Sequence, residues 1–215
     1  MSSLEHHLLP IIEGCHDSAD LLALDWAQLP PLPPFILADG SGPAQQQTIV
    51  RACADERALA VHFHCIDDDI WGNFQNRDDP IYDEEVVEIF LSPGEQVPTT
   101  YYEFELAPTG VLFDAKIENP MLGHEAIQVG TAWDCAGIRW QAARYDELDY
   151  WQAAFYIPWA GMVGVQPPVK KWRGNFYRIE RPQNAAPEFS SWSPTFTDPA
   201  DFHIPSRFGL LHLPE

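Results

Sequence analysis

The chain is short of positive charge. It has 12 lysine and arginine residues against 32 aspartate and glutamate residues, which gives a formal net charge of -20 at pH 7. A surface this negative repels phosphate backbones and anionic lipid head groups, so neither nucleic acid nor a membrane is expected as a partner. Acidity alone is also typical of a solubilising surface, and a metal site would need clustered carboxylates.

Three further features are missing from the sequence. No stretch approaches the length of a membrane-spanning run, and residues 1–7 lack the basic start and apolar core of a secretory signal. We therefore expect a cytoplasmic protein. The cysteines lack close C-x-x-C spacing, so reduced, buried thiols are expected rather than disulfides. They are Cys15, Cys53, Cys65 and Cys135.

Catalytic signatures are also missing. The chain has no G-x-S-x-G, H-E-x-x-H, P-loop or dinucleotide fingerprint. Pairs of acids could suggest glycoside hydrolysis. A chain with this many acids will always offer such pairs, so the match carries little weight and we expect a protein that is not an enzyme.

What is present is a succession of short strands and turns from Gln47 onward, a pattern typical of a sandwich or barrel. A length of 215 residues suits one domain. We predict an all-β fold, a single antiparallel β-sandwich of immunoglobulin or jelly-roll type, with little helix. The predicted strands are residues 48–54, 59–66, 86–91, 101–107, 111–116, 126–131, 137–144, 150–157, 174–181 and 209–213.

The first predicted hairpin has a testable register. Its turn at residues 55–57 places Cys53 opposite about Ala60, several residues away from Cys65, which argues against a disulfide between the two cysteines. A second turn, at residues 108–110, joins two later strands.

Residues 1–46 read differently from the rest. The proline-rich run at 30–34 cannot be regular helix or central strand. A short helix over Ser18 to Ala27 is predicted before it. We interpret residues 1–46 as an irregular N-terminal extension packed on the domain, and residues 47–215 as the sandwich.

The most informative segment is Ile81–Leu91. A hydrophobic strand here carries Glu88 in its middle, and an unpaired buried charge would be costly. Tyr82 precedes it and supplies a flat apolar face. An aromatic ring and a carboxylate together can stack on a sugar ring and accept hydrogen bonds from its hydroxyls. Further along, Glu103 and Glu105 alternate with Phe104, so both glutamates point to one face of their strand.

Several motifs follow one another in a familiar order, and together they span most of the chain. They are DDD at 67–69, EVVEIF at 85–90, YYEF at 101–104, WQAAFYIPW at 151–159, WRGNFYR at 172–178, SWSP at 191–194 and FHIPSRFG at 202–209. With these motifs in this order, the chain resembles the family 9 carbohydrate-binding modules, within the wider group of sugar- and haem-binding β-sandwiches known as DOMON-like domains.

The resemblance implies non-catalytic sugar binding and assigns candidate residues. The two aromatic residues that sandwich a terminal sugar ring in the family correspond to Tyr82 and Phe202, and the glutamate that binds hydroxyls corresponds to Glu88. An arginine of the family falls near Glu105, which is a departure, and Arg178 is a candidate replacement. Polar contacts are further expected from Glu103, Glu105 and Asn175, and Trp71 is a candidate extension of the aromatic platform.

The sequence also offers candidate ligands for calcium and for haem. Acidic loops hold calcium in family members, so Asp67, Asp68 and Asp69 are candidate ligands, although their spacing is not that of an EF-hand. Haem-binding relatives use an axial methionine, which draws attention to Met121 and Met162. A haem carrier, or a scaffold or enzyme-associated domain that has lost sugar binding, are therefore the alternatives to a carbohydrate-binding domain.

Overall fold

The computed structural model describes residues 4–10, 18–162 and 169–213. The fold is all-β, and the helices of these residues are single 3-10 turns of three residues, so the predicted class is confirmed. None of the described helices has the length and apolarity to cross a membrane. The strands are β1 (His6–Leu8), β2 (Ile36–Leu37), β3 (Thr48–Ala54), β4 (Ala58–Ile66), β5 (Val86–Pro93), β6 (Thr100–Leu106), β7 (Leu112–Glu118), β8 (Gln128–Gly130), β9 (Arg139–Tyr145), β10 (Tyr150–Pro158), β11 (Lys171–Glu180), β12 (Glu188–Ser191) and β13 (Gly209–His212).

The strands form two sheets. The large sheet has the order β1-β13-β11-β5-β6-β7-β8, with β12 also paired to β11 and β2 paired to β12. The small sheet has the order β3-β4-β10-β9. The pairs are antiparallel except for β1 with β13. The predicted antiparallel sandwich is therefore confirmed.

The main core lies between the two sheets and contains aromatic rings from both. Phe63 of β4 meets Phe155 of β10 edge-on at a centroid distance of 6.0 Å and Phe176 of β11 at 6.2 Å. All three side chains are fully buried. Rings of this kind contribute a large share of the apolar burial that stabilises the sandwich.

The large sheet is covered on its other face as well. Phe90, Tyr101, Tyr177 and Phe208 form a second buried cluster there, with ring centroids of Phe90 and Tyr177 4.9 Å apart. The register pairs Glu88 with Glu105 and with Tyr177. Because cross-strand partners point to the same side of a sheet, Glu88 and Glu105 belong to this second face and not to the main core.

The N-terminal residues differ in part from expectation. The helix predicted over Ser18 to Ala27 is wrong: residues 21–24 are turns and bends, and a 3-10 helix covers only Trp26–Gln28. The apolar residues that suggested a helix are used instead in tertiary packing, since Leu21, Trp26 and Leu29 form a small cluster against the outer side of the small sheet. These apolar residues are buried but do not have the spacing of a helix, which is why their apolar character led to a wrong helix prediction.

The first hairpin agrees with its predicted register, because Cys53 pairs with Ala60. Cys53, Cys65 and Cys135 are buried and do not form disulfides, as expected. Cys15 lies outside the described residues.

Candidate functional site

A cavity of about 540 Å³ opens on the second face of the large sheet. This volume lies within the range typical of small-molecule sites. Its walls come from segments that are far apart in the chain. Among the described residues, the lining side chains that matter below are Tyr82, Glu88, Glu103, Glu105, Phe113, Arg181, Asp201, Phe202 and His203.

Three glutamates from adjacent strands, Glu88 of β5 and Glu103 and Glu105 of β6, lie together in the cavity. One carboxylate oxygen from each lies within 4.8 Å of the others. The residues are only 3%, 4% and 1% exposed, respectively. The alternation predicted for Glu103 and Glu105 and the cross-strand pair of Glu88 with Glu105 explain why all three meet on one face.

Tyr82 is presented to this cavity by a tight turn. A 3-10 helix covers Ile81–Asp83, directly after Pro80 and three residues before β5. Ile81 is fully buried and anchors the turn, whereas Tyr82 keeps 41% of its surface exposed. The ring of Tyr82 contacts Phe113 edge-on at 5.7 Å. It is therefore an exposed, braced aromatic surface beside three carboxyl groups.

Phe202 reaches the same cavity from the long connection between β12 and β13. Its carbonyl oxygen accepts a hydrogen bond of 3.0 Å from the Tyr177 hydroxyl, and its ring stacks on Tyr177 at 4.2 Å. Phe202 is only 8% exposed. One of its faces is occupied by Tyr177, so it offers a ligand less surface than Tyr82 does.

Arg181 is the only arginine or lysine among the described residues that line the cavity. Its guanidinium lies over the ring of Phe189, 5.3 Å from the centroid, and donates a long hydrogen bond of 3.5 Å to the carbonyl oxygen of Tyr82. Arg181 therefore braces the Tyr82 turn against β12.

The electrostatics of the three glutamates are dominated by burial. Burial raises the pKa of Glu88 and of Glu105 well above the usual range, and neighbouring carboxylates raise both further. Burial also raises the pKa of Glu103, to about 7, although its hydrogen bond with Glu105 opposes the rise. That hydrogen bond favours a protonated Glu105 and a charged Glu103. At neutral pH the cluster can therefore both donate and accept hydrogen bonds.

These shifts predict that stability falls as pH rises from 6.5 to 8. A carboxyl group whose folded pKa exceeds its unfolded value binds a proton in the folded state that the unfolded state has lost, so each such group lowers the free energy of unfolding by about 1.4 kcal/mol per pH unit. This decrease in the free energy of unfolding begins above the pKa that the group has in the unfolded chain, and it is complete above the pKa that it has in the folded chain. Burial lowers the pKa of His62 and His203 to about 4, which acts in the opposite direction at acid pH and fades as the pH rises through the ordinary histidine value of about 6.5.

The measurement is chemical denaturation at several pH values in this window. Glu105→Gln should make the slope shallower, because a neutral amide removes one retained proton. Glu147→Gln makes the same substitution on an exposed turn and should leave the slope unchanged. A stability that is flat or rises between pH 6.5 and 8 would contradict the assignment.

Arg178 was expected at the sugar site, and the structure corrects this. Tyr177, the preceding residue on β11, pairs with Glu88 and shares its face of the sheet. Arg178 therefore points to the opposite side of β11, between the two sheets. There its guanidinium bonds to Asp67 at 3.0 Å and to Glu180. Arg178 is 1% exposed and does not line the cavity.

Asn175 and Trp71 also lie apart from the cavity. The amide of Asn175 is fully buried and holds the backbone of Ser193, donating to its carbonyl oxygen at 2.8 Å and accepting from its N–H at 3.0 Å. The indole of Trp71 donates to the carbonyl oxygen of Arg181 at 2.6 Å and borders a separate depression with Arg144 and Gln183. Both expectations of ligand contact are corrected accordingly.

The three consecutive aspartates do not converge on a common point. Asp67 is buried and accepts hydrogen bonds from Arg178 and from the Trp151 indole at 3.1 Å. Asp68 accepts a hydrogen bond from the Gln46 side chain, and Asp69 accepts two from Gln183. Because their carboxylates have separate protein partners, the structure does not support the predicted calcium site at this loop.

The candidate haem ligands are not at the cavity either. Met162 is 1% exposed and packs in the main core, and Met121 is 65% exposed on the surface. Neither lines the cavity with the glutamates.

Some lining residues were missed by the sequence reasoning. His203 is adjacent to Phe202, and its Nδ1 lies 2.8 Å from the hydroxyl of Tyr101. Asp201 also lines the cavity, and its carboxylate accepts a hydrogen bond from the backbone N–H of His203 at 2.9 Å. The signal available was their position beside a predicted stacking residue, since loop residues next to a ring commonly share its cavity.

A larger cavity, of about 710 Å³, lies nearby and is bordered by Asp68, Glu188 and Pro199. Phe189 is its only aromatic lining residue among those described. The smaller cavity has three phenylalanines and a tyrosine in its lining together with the glutamate cluster. A site for a ligand with both apolar and hydroxylated surfaces is better matched by the smaller one.

Solved structures share this fold. A candidate carbohydrate-binding protein from Bacteroides uniformis is 19% identical, with a TM-score of 0.78 over 99% of this chain and 100% of that one. A carbohydrate-binding module of family 9 from Caldicellulosiruptor kristjanssonii, solved in complex with glucose, is 14% identical, with a TM-score of 0.65 over 98% and 96% of the two chains. The same kind of module from that organism in complex with cellotriose is 15% identical, with a TM-score of 0.60 over 97% and 93%.

A curated relative bears on location. It is a protein of Arthroderma benhamiae named "Extracellular protein", 30% identical over 174 residues that cover 75% of this chain and 76% of the relative. The expectation of a cytoplasmic location, drawn from the lack of a secretory signal, is contradicted by this relative and is wrong.

The family model for carbohydrate-binding family 9 matches residues 43–213, nearly all of the sandwich described above. With the shared fold and the curated relative, the match shows that this chain belongs to carbohydrate-binding family 9.

Proposed function

We propose that the chain binds a carbohydrate non-catalytically in the cavity of about 540 Å³. The observation that carries the proposal is that Tyr82 and Glu88, which are neighbours in the chain, and Phe202, which comes from a distant segment, line this one cavity. An aromatic face and buried carboxyl groups are the two kinds of surface that a sugar ring requires. The family and the structures in complex with glucose and cellotriose support the same ligand class.

The roles follow from exposure and chemistry. Tyr82 is the main stacking surface because its ring is the more exposed of the two. Phe202, with one face against Tyr177, limits the width of the cavity. Glu88, Glu103 and Glu105 bind sugar hydroxyls, since protonated carboxyls donate hydrogen bonds and ionised ones accept them.

The direct test is titration calorimetry of the chain with glucose and with cellotriose, preceded by a glycan array. We expect weak, saturable binding, because an open site with few contacts gains little beyond the entropy lost on association. No release of reducing sugar from cellotriose is expected on prolonged incubation. Absence of binding to every sugar tested would refute the proposal.

A further inference from the structure

The glutamate cluster has an unusual charge balance. Three buried carboxyl groups share a space in which one oxygen of each lies within 4.8 Å of the others. Buried acids at this density are normally matched by a cation or partly neutralised by protons. The nearby acids Asp83 and Asp201 add to the negative charge of the cavity.

No protein cation fills this role among the described residues. Arg181 lines the cavity, but its guanidinium packs on Phe189 and bonds to the carbonyl oxygen of Tyr82. Arg178 lies on the opposite face of β11, bound to Asp67 and Glu180. The remaining basic groups of the lining are His124 and the half-buried His203.

A second, independent feature points to a ligand. The Oε2 atom of Glu105 is buried and has no hydrogen-bond partner, although the residue is only 1% exposed and lines the cavity. Buried polar atoms without partners are rare in folded proteins, because each one forgoes the hydrogen bond that it had with water. An acceptor of this kind is suited to a donor carried by a ligand.

We propose, resting on the sugar-binding function above, that the preferred ligand is an amino sugar whose free ammonium group binds among Glu88, Glu103 and Glu105. An ammonium group carries three N–H donors and one positive charge, which matches three carboxyl groups around one point. The adjacent rings of Tyr82 and Phe113 provide an apolar surface for the sugar and attract a cation as well. The net charge of -20 favours the approach of a cationic ligand over a neutral or acidic one.

Binding of the ammonium group changes the protonation of the cluster. In the free protein, burial and the neighbouring carboxylates of Glu88 and Glu103 raise the pKa of Glu105 well above its ordinary value, which favours the protonated form at pH 7. When the ammonium group binds, the Glu105 carboxyl becomes a carboxylate and its proton passes to the buffer. A neutral sugar leaves this proton in place. Proton release is therefore a signature that separates the two ligands.

The experiment is calorimetric titration of the full chain with glucosamine and with glucose at pH 7, in two buffers of different ionisation enthalpy. The two sugars differ by an ammonium group in place of one hydroxyl, so size does not confound the comparison. We expect glucosamine to bind tighter by about tenfold to a hundredfold, the usual effect of a charge-assisted hydrogen bond. We also expect its heat, and not that of glucose, to depend on the buffer.

The matched variants are Glu105→Gln and Glu147→Gln, which make the same substitution inside and outside the cavity. The first should reduce the preference for glucosamine by about tenfold, and the second should leave it unchanged. Circular dichroism confirms that each variant is folded. Glu103→Gln serves as a second cavity variant with the same expectation if Glu105→Gln does not fold.

The results of these titrations distinguish a failure of the amino-sugar preference from a failure of sugar binding itself. Equal affinity for glucosamine and glucose, with both bound, overturns the inference and leaves sugar binding intact. Absence of binding to either sugar overturns both. Cyclohexylamine bound as tightly as glucosamine, or saturation of the cluster by calcium chloride alone, overturns the inference in favour of a simple amine site or a metal site.

Discussion

Replacing Tyr82 with alanine is expected to weaken sugar binding by at least about tenfold, the equivalent of about 1.4 kcal/mol. Among the described residues, Tyr82 is the most exposed tyrosine or phenylalanine of the lining, at 41% exposure against 8% for Phe202. Its removal takes away the surface on which a sugar ring can stack. Titration calorimetry with glucose and cellotriose measures the loss. Tyr82→Phe should retain most of the affinity, because it keeps the ring.

Tyr145 provides the matched control for this experiment. It is a tyrosine of similar exposure, 37%, on β9 of the small sheet, where it stacks on Tyr150. Tyr145→Ala should leave sugar affinity unchanged because the residue does not line the cavity. If Tyr82→Ala binds as well as the natural chain, or if Tyr145→Ala loses as much, the stacking role assigned to Tyr82 is wrong.

Replacing Arg178 with methionine is expected to lower the free energy of unfolding by about 3 to 5 kcal/mol. The guanidinium is 1% exposed and bonds to Asp67 at 3.0 Å, to Glu180 and to the carbonyl oxygen of Ile66 at 2.6 Å. Asp67, Glu85 and Glu180 have carboxylate oxygens within 4.8 Å of one another. Without the arginine, this acidic cluster between the two sheets has lost its main compensating charge.

The pH dependence of that loss distinguishes charge from packing. Burial and neighbouring carboxylates raise the pKa of Glu85 to about 9, and burial raises that of Glu180 to about 7. Glu85 is therefore already largely protonated at pH 8, whereas lowering the pH from 8 to 5 protonates Glu180, so the loss in Arg178→Met should shrink at acid pH. A lost packing contact would give the same loss at both pH values.

Arg57→Met is the control for the arginine experiment. Arg57 is an exposed arginine with a long contact of 3.9 Å to Glu56, and its replacement should change stability by less than about 0.5 kcal/mol. Denaturant unfolding measures both variants. A loss below about 1 kcal/mol in Arg178→Met would contradict a stabilising role for its ion pairs. Sugar affinity of folded Arg178→Met should equal that of the natural chain, because Arg178 lies on the other face of β11.

The local parts of the site could be predicted from the sequence. Tyr82 and Glu88 are six residues apart, and Glu103 and Glu105 lie on the strand that follows β5, so strand alternation and pairing of neighbouring strands suffice to bring them together. The family resemblance added Phe202, which no local pattern connects to the rest. The structure places all five of these residues around one cavity.

The position of Arg178 could not be predicted in the same way. Its strand, β11, begins 85 residues after β5 begins, and nothing in the sequence fixes how the two strands align. A shift of one residue moves every side chain to the other face. The observed pairing of Glu88 with Tyr177 sends Arg178 into the main core, where it meets Asp67.

The same limit applies to the three strands that the pattern did not predict. β1, β2 and β12 have three, two and four residues. Segments this short have no measurable alternation, and they are strands because the edges of the large sheet supply their hydrogen-bond partners. Long-range pairing, rather than local preference, determines them.

The most direct test of the central claim is a crystal structure of the protein soaked with glucose. The account predicts a sugar ring against Tyr82, with hydroxyl groups within hydrogen-bond distance of Glu88 in the cavity that Phe202 also lines. A glucose molecule bound instead in the larger cavity beside Asp68 and Glu188, with the ring of Tyr82 uncovered, would contradict it.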